Sequence, residues 1–350
     1  MCPVTTPGGP DVRPAGPPRS GGPRLPPGPW RSRRHRGAAC AAGAAALVAL
    51  VVLAVVTRTG GGGLRDAGAA GGSGPVAAPS LPWPAQGQTS VSVEGFGARG
   101  DLGSHGAQRP VPVASVTKVM TAYVVLRGHP LGAHGPGPRI TVDQRAADES
   151  VSGIESTARV DAGRALDERK LLELMLIPSG NNIARFLARW DAESEEAFVA
   201  KMNRAARELG MRNTVYADAS GIGAANTSTS ADQLKLARQV MKDPAFRSVV
   251  AMPSTTVPGV PGEIHNTNTL LGQNGVIGLK TGSSTPAGGN LMWAATAPDR
   301  DGRERLVLGV VLHQRAGSSP QQGLEAAVEA SRSLVEGVRS WVSANTPGKR

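Results

Sequence analysis

Apolar and polar positions divide the chain into an uncharged run near its start, a low-complexity stretch and a long patterned region. Residues 37–56 form twenty consecutive positions without a charge, enough for a helix to cross a bilayer. Residues 57–87 are rich in Gly, Ala, Pro and Ser and read as a flexible tether. Pattern begins after that. Thr89 to Val93 alternates as a strand does. Residues 115–126 place Val116, Val119, Met120, Tyr123 and Val124 at helical spacing. Residues 169–175 and 182–190 read as two helices around a Pro178-Ser179-Gly180 break, and 195–208 as a third that stops at Gly210. Residues 231–241 predict another. Three strands follow, 275–281, 290–296 and 306–313, separated by Gly/Pro turns. A final helix, 320–344, keeps Leu324, Val328, Leu334, Val335, Val338 and Trp341 on one side.

Short connections make the three late strands antiparallel hairpins, and the early strand can complete their sheet. The pattern therefore predicts an α+β fold: one antiparallel sheet flanked by helices, with a helical lobe contributed by the middle of the chain, in a single domain over 88–345.

Composition changes the picture mainly at the N-terminus. The chain has 350 residues and a formal charge of +11. Residues 1–36 hold seven arginines and one aspartate, so more than half of the excess sits beside the uncharged run. That placement fits membrane orientation and argues against nucleic acid as a partner. Ten prolines within residues 1–30 leave that tail unable to build a core. The expected order is a disordered tail over 1–36, a transmembrane signal-anchor over 37–56, the tether over 57–87 and the folded domain. That order implies a single-pass membrane protein with its domain extracytoplasmic; a cleaved leader, which would make it secreted, is the competing reading. The two cysteines, Cys2 and Cys40, both precede the tether, so the domain is expected to stand without disulfides.

Three short motifs carry candidate chemistry. In Ser115-Val116-Thr117-Lys118, positions three apart share a helix face. The lysine amine can then take the serine proton, provided burial or a neighbouring cation lowers its pKa. Ser179-Gly180-Asn181 sits at a corner between two helices. Lys280-Thr281-Gly282 ends an apolar strand. Each alone has an ordinary explanation: a solvated helix start, a turn with a capping asparagine, an edge-strand lysine. Their order is what matters, since S-x-x-K, S-x-N and K-T-G together form the signature of serine penicillin-binding proteins and class A β-lactamases.

The segment Ala114 to Ala122 resembles the active-site stretch of D-Ala-D-Ala carboxypeptidases. Leu171-Leu172 through Asn182 resembles their second motif, and Gly210 to Thr214 with Ser220-Gly221 is similar to a further typical stretch. Asn266-Thr267-Asn268 leading to Gly278–Gly282 and Ala287-Gly288 is similar as well. The likeness covers roughly 88–315. It implies that Ser115 is the nucleophile, Lys118 its base and Ser179 a proton relay to the leaving group. It implies that Asn181, Lys280, Thr281, Gly282 and Ser283 bind substrate, with the N–H groups of Ser115 and Ser283 holding the oxyanion. The implied substrate is a peptidoglycan pentapeptide ending in D-Ala-D-Ala, with β-lactams as inhibitors and neither cofactor nor metal required. The six histidines show no zinc spacing. One departure is Asn182, where the family often has aspartate; no large consequence is expected. A second is that no β-rich domain follows the last strand, so attachment is expected from the N-terminal segment. Three rivals stand beside this reading. A β-lactamase lacks support, because residues 182–279 contain no E-x-x-L-N. A non-catalytic wall-binding protein would need no intact motifs. An endopeptidase would share them all.

Overall fold

The structure, a computed structural model, describes residues 80–260 and 262–347. The tail, the uncharged run and residues 57–79 of the tether lie outside the described residues. Among the described residues no helix is long and apolar enough to cross a membrane.

Five antiparallel strands form the central sheet: β1 (Gln88–Val93), β2 (Asp101–His105), β3 (Val276–Ser284), β4 (Gly288–Pro298) and β5 (Glu304–Gln314). Their order is β2-β1-β5-β4-β3. The early strand pairs with the last one, Val91 opposite Gly309, which completes the sheet as the pattern predicts. Eight helices accompany it among the described residues: α1 (Thr117–Gly128), α2 (Gln144–Glu149), α3 (Glu168–Leu176), α4 (Asn181–Ala192), α5 (Glu195–Glu208), α6 (Ser230–Val240), α7 (Pro244–Val250) and α8 (Pro320–Ala344).

Both faces of the sheet are covered, so the middles of β4 (Leu291–Ala295) and β5 (Leu306–Leu312) run without a polar side chain rather than alternating. Alternation survives as a choice of core. Leu291, Trp293, Ala295, Val307 and Val311 meet Leu334, Val335 and Val338 of α8. Met292, Ala294, Leu308, Val310 and Leu312 join the helical lobe. Gly309 sits beneath the Trp293 ring, where a Cβ would come within 2.1 Å of Cζ2. Helix α8 starts from a capping box, Ser319 with Gln322, and Pro320 in its first turn.

Some boundaries differ from the sequence reading. The folded part begins before residue 88: Leu81 is buried, and the Trp83 ring stacks on His105. Helix α1 starts at Thr117, two residues later than expected, because a 3-10 turn over Ala114–Val116 precedes it. Ala114 there has φ +46°, outside the helical region.

Candidate active site

The 3-10 turn carries Ser115, and α1 begins beyond it with Lys118 one turn away. The Lys118 side chain is fully buried. Its Nζ lies 2.9 Å from Ser115 Oγ, 2.7 Å from the Ser220 carbonyl oxygen and within hydrogen-bond distance of Asn181 Oδ1. A carbonyl and an amide oxygen only accept. A neutral amine therefore spends its two hydrogens on Ser220 and Asn181 and turns its lone pair to the serine hydroxyl. Burial pushes the Lys118 amine well below the usual lysine range, and the Lys280 ammonium pushes it further. Asp218 and Glu155 oppose the shift.

Lys280 reaches the site from β3. It pairs with Met292 of β4, whose side chain belongs to the lobe-side core, so the lysine faces the lobe as well. A bulge between Ala294 and Ala295 precedes it, and Leu279 takes φ +87°, an arrangement that re-aims a strand side chain. Lys280 lies on an edge strand, yet it is 1% exposed, so solubility is not its role. Burial pushes its amine down to about 7. Thr281 Oγ1 is 2.6 Å from Thr267 Oγ1, and the Thr267 N–H donates to the Ile177 carbonyl at 3.2 Å. The Asn266-Thr267-Asn268 stretch thus stitches the third motif to the second.

Gly282 explains itself by contact. A Cβ there would lie 2.9 Å from the backbone nitrogens of Ser115 and Val116 and 3.0 Å from the Val113 oxygen. The strand runs against the nucleophile's turn with no room between, which sets Ser283 beside Ser115 at the rim. Ser115, Asn181 and Ser283 line one cleft of about 440 Å³.

At the second motif, Ser179 takes φ +69° and is buried. Its hydroxyl has no hydrogen bond among the described residues and is the least engaged of the motif side chains. Asn181 is not a cap; Gly180 holds the N-cap position and Asn181 is the first residue of α4. Asn182, beside it, is fully buried and matters more than expected. Its amide accepts from the Ala158 N–H at 3.0 Å and donates to the Ala146 and Ala158 carbonyls at 3.1 and 2.9 Å, pinning the 146–158 segment to α4.

Two groups in the site fall outside every motif. Asp218 accepts from Ser220 N–H, Gly221 N–H, Gly223 N–H and Asn226 Nδ2 at 2.8, 2.6, 3.0 and 2.6 Å. Burial alone would raise this carboxyl, but the Gly223 and Gly221 N–H groups hold it below the usual range. The resulting cage presents the Ser220 carbonyl to Lys118 and sets Gly221 against Ala114, where a Cβ would come within 2.0 Å of the oxygen. Glu155 lines the cleft and accepts from Asn181 Nδ2 at 2.7 Å. Neither acid could be singled out by spacing, although the Ser220-Gly221 pair marks the neighbourhood of the first.

A sheet with a helical lobe, and at their junction a serine hydrogen-bonded to a buried lysine of depressed basicity, defines a serine acyl-transfer enzyme. Residues 102–315 match the family model described as D-alanyl-D-alanine carboxypeptidase. A D-alanyl-D-alanine carboxypeptidase of Streptomyces sp. strain K15 is 37% identical over 214 residues, covering 57% of this chain and 71% of that one. A D-alanyl-D-alanine endopeptidase of Haemophilus influenzae is 31% identical over 173 residues, covering 49% of this chain; the match spans only 56% of that relative's length. The crystal structure of the Streptomyces K15 DD-transpeptidase superposes with a TM-score of 0.61 at 30% identity, covering 71% of this chain and 95% of that one. The chain belongs to the D-alanyl-D-alanine carboxypeptidase family.

Proposed function

We propose that the protein is a serine-type D-alanyl-D-alanine carboxypeptidase that removes the terminal D-alanine of peptidoglycan stem peptides through an acyl-enzyme on Ser115. The observation that carries this is the Lys118 amine, buried, held by two acceptors and aimed at Ser115 Oγ. Lys118 takes the hydroxyl proton as Oγ attacks the carbonyl between the two D-alanines. The oxyanion is met by the N–H groups of Ser115 and Ser283. Ser179 passes a proton to the departing D-alanine nitrogen. Asn181 hydrogen-bonds the peptide, and Lys280 with Thr281 receives the terminal carboxylate. Water then releases the shortened peptide. β-Lactams acylate the same serine.

The N-terminal arginines followed by the uncharged run over 37–56 support a membrane anchor with the domain outside the cytoplasm. A domain so placed would meet cell-wall peptide, in keeping with the proposed substrate. The family model and the named relatives favour this reading over a β-lactamase.

The test is incubation with a labelled penicillin and mapping of the adduct by mass spectrometry, with Ser115→Ala as control. A long-lived adduct on Ser115 is expected. No adduct on folded protein sinks serine acylation; rapid drug hydrolysis means a β-lactamase. Release of D-alanine from a pentapeptide, set against cleavage of a cross-linked dimer, separates carboxypeptidase from endopeptidase.

A further inference from the structure

The charged groups behind Asn181 form a continuous chain. Asn181 and Arg185 lie four apart on α4, so they share a face. Glu155 bridges them. One of its carboxylate oxygens accepts from Asn181 Nδ2 at 2.7 Å and from Arg185 Nη1 at 3.1 Å. The other accepts from Arg185 Nη2 at 2.7 Å. Arg185 Nε continues to Glu149 at 2.7 Å. One turn further along α4, Arg189 grips Asp143 through paired hydrogen bonds. The segment from 143 to 158 is thus docked on α4 at several points, and Glu155 is the point that touches the catalytic amide.

An asparagine amide can present either its oxygen or its nitrogen to a neighbour. A carboxylate only accepts, so the one at Glu155 dictates the choice: Nδ2 must face Glu155, and Oδ1 must face Lys118. That orientation makes Lys118 a donor to Asn181 and leaves its lone pair for Ser115. It also leaves the second Nδ2 hydrogen free in the cleft. We propose that Glu155 is a positioning residue: it fixes the Asn181 amide so that Lys118 stays aimed at Ser115 and one amide N–H stays available to the substrate. This rests on the acylation mechanism proposed above.

A carboxylate lining the cleft could instead serve as the base for the deacylating water. The geometry disfavours that. Burial alone would raise the Glu155 carboxyl, but the hydrogen bonds from Arg185 and Asn181 hold it below the usual range, which makes it a weak base.

The test uses the full chain and a chromogenic penicillin, with Glu155→Ala and Glu155→Gln. Acylation and penicilloyl release are measured separately from pH 5 to 10, with thermal melts to verify folding. Glu155→Ala is expected to lower the acylation plateau by about 10–100-fold, the scale of a misaligned catalytic group. Glu155→Gln, which keeps one acceptor oxygen for Asn181, is expected to recover part of it. In both variants the acidic limb of the acylation profile moves to lower pH. Acylation needs neutral Lys118, and the lost negative charge had favoured the protonated form. That shift follows from the lost charge alone and is shared by both variants; the recovery of the plateau by Glu155→Gln over Glu155→Ala at equal melting temperature is what a merely structural role would not produce. An unchanged plateau in both variants, or a glutamine variant as slow as the alanine one, overturns the proposal. So does wild-type acylation with slowed penicilloyl release, which would make Glu155 the deacylation base. If the wild-type chain itself forms no Ser115 adduct, the mechanism fails rather than this assignment.

Discussion

Gly282 lies so close to Ser115 that a methyl group on its Cα would come within 2.9 Å of the serine's backbone nitrogen. That nitrogen is one of the two donors assigned to the oxyanion, and the next residue, Ser283, supplies the other. Gly282→Ala must push β3 away from the 3-10 turn, because the atoms it meets are backbone. Separating the two donors is expected to cost about 10²–10³-fold in acylation, the value of one oxyanion donor. The fold is held by β4 on the other side of the strand and should persist. Acylation rates and circular dichroism check this together; near-normal acylation would place the oxyanion elsewhere.

The buried Lys280 amine is a cost to the fold kept for the site. Its basicity falls from the ordinary 10.5 to about 7. Below about pH 7 the folded protein must carry the buried charge. Between about 7 and 10.5 the unfolded chain binds a proton that the folded one has shed, so stability rises with pH across that window. Lys280→Met removes the penalty, on the order of 4 kcal/mol at pH 7. The variant is expected to melt higher than the wild type at pH 7, to lose that advantage as pH approaches 10, and to be inactive on carboxylate-ended peptides. Melts at the two pH values check it; an advantage that does not narrow would exclude lysine desolvation as its cause.

Much of this was legible in the sequence because burial imposes pattern. The last helix and the helix over Glu195–Glu208 could be bounded to the residue, since their caps and periodicity are local. That the early strand completes the sheet of the three late ones could be read from the pattern; that it joins β5 could not. Strand β2, with the sequence DLGSH, was not legible: it is an edge strand that buries little, so no hydrophobic alternation is demanded of it. Helices α2 and α7 are only six and seven residues long and show too little period. The seven motif positions were legible as chemistry, with Ser283 added by the family resemblance, whereas Asp218 and Glu155 were not. Their roles depend on what folding brings to them: four donors from one loop, or an amide and a guanidinium from α4.

Asp218 offers a test of that distant support. Asp218→Ala removes the acceptor that gathers the Ser220, Gly221 and Gly223 N–H groups. Unsatisfied donors cost about 1–3 kcal/mol each when water cannot replace the partner. The loop that presents the Ser220 carbonyl to Lys118 is expected to loosen, lowering acylation at least ~10-fold and reducing stability. The carboxyl is held below its ordinary 3.8, so its contribution is present above that pH and is lost as pH falls through the folded-state value. Urea unfolding of wild type and variant at pH 3 and pH 7 checks the sign: the difference should be larger at pH 7.

Asn182 makes the sharpest distinction between a side chain's shape and its chemistry. Aspartate has the same outline, and it is the residue often found at this place in the family. In this chain, however, the Asn182 amide nitrogen donates to two carbonyl oxygens, those of Ala146 and Ala158. A carboxylate there would face both oxygens with no proton to offer. In Asn182→Asp the folded state would favour the protonated acid, so the new group's pKa is raised on folding. The penalty is then small below the unfolded-state value of about 4 and grows as pH rises above it. At pH 7 the loss is expected at about 2–4 kcal/mol, the scale of a buried polar group deprived of its partners. Because the pinned segment carries Glu155, acylation should fall with stability, and both should recover towards pH 4 relative to wild type. Urea unfolding across that range decides it. A variant as stable as wild type at pH 7 would mean that the 146–158 segment is held well enough by Arg185 and by the Asn181 backbone N–H on the Ser156 carbonyl.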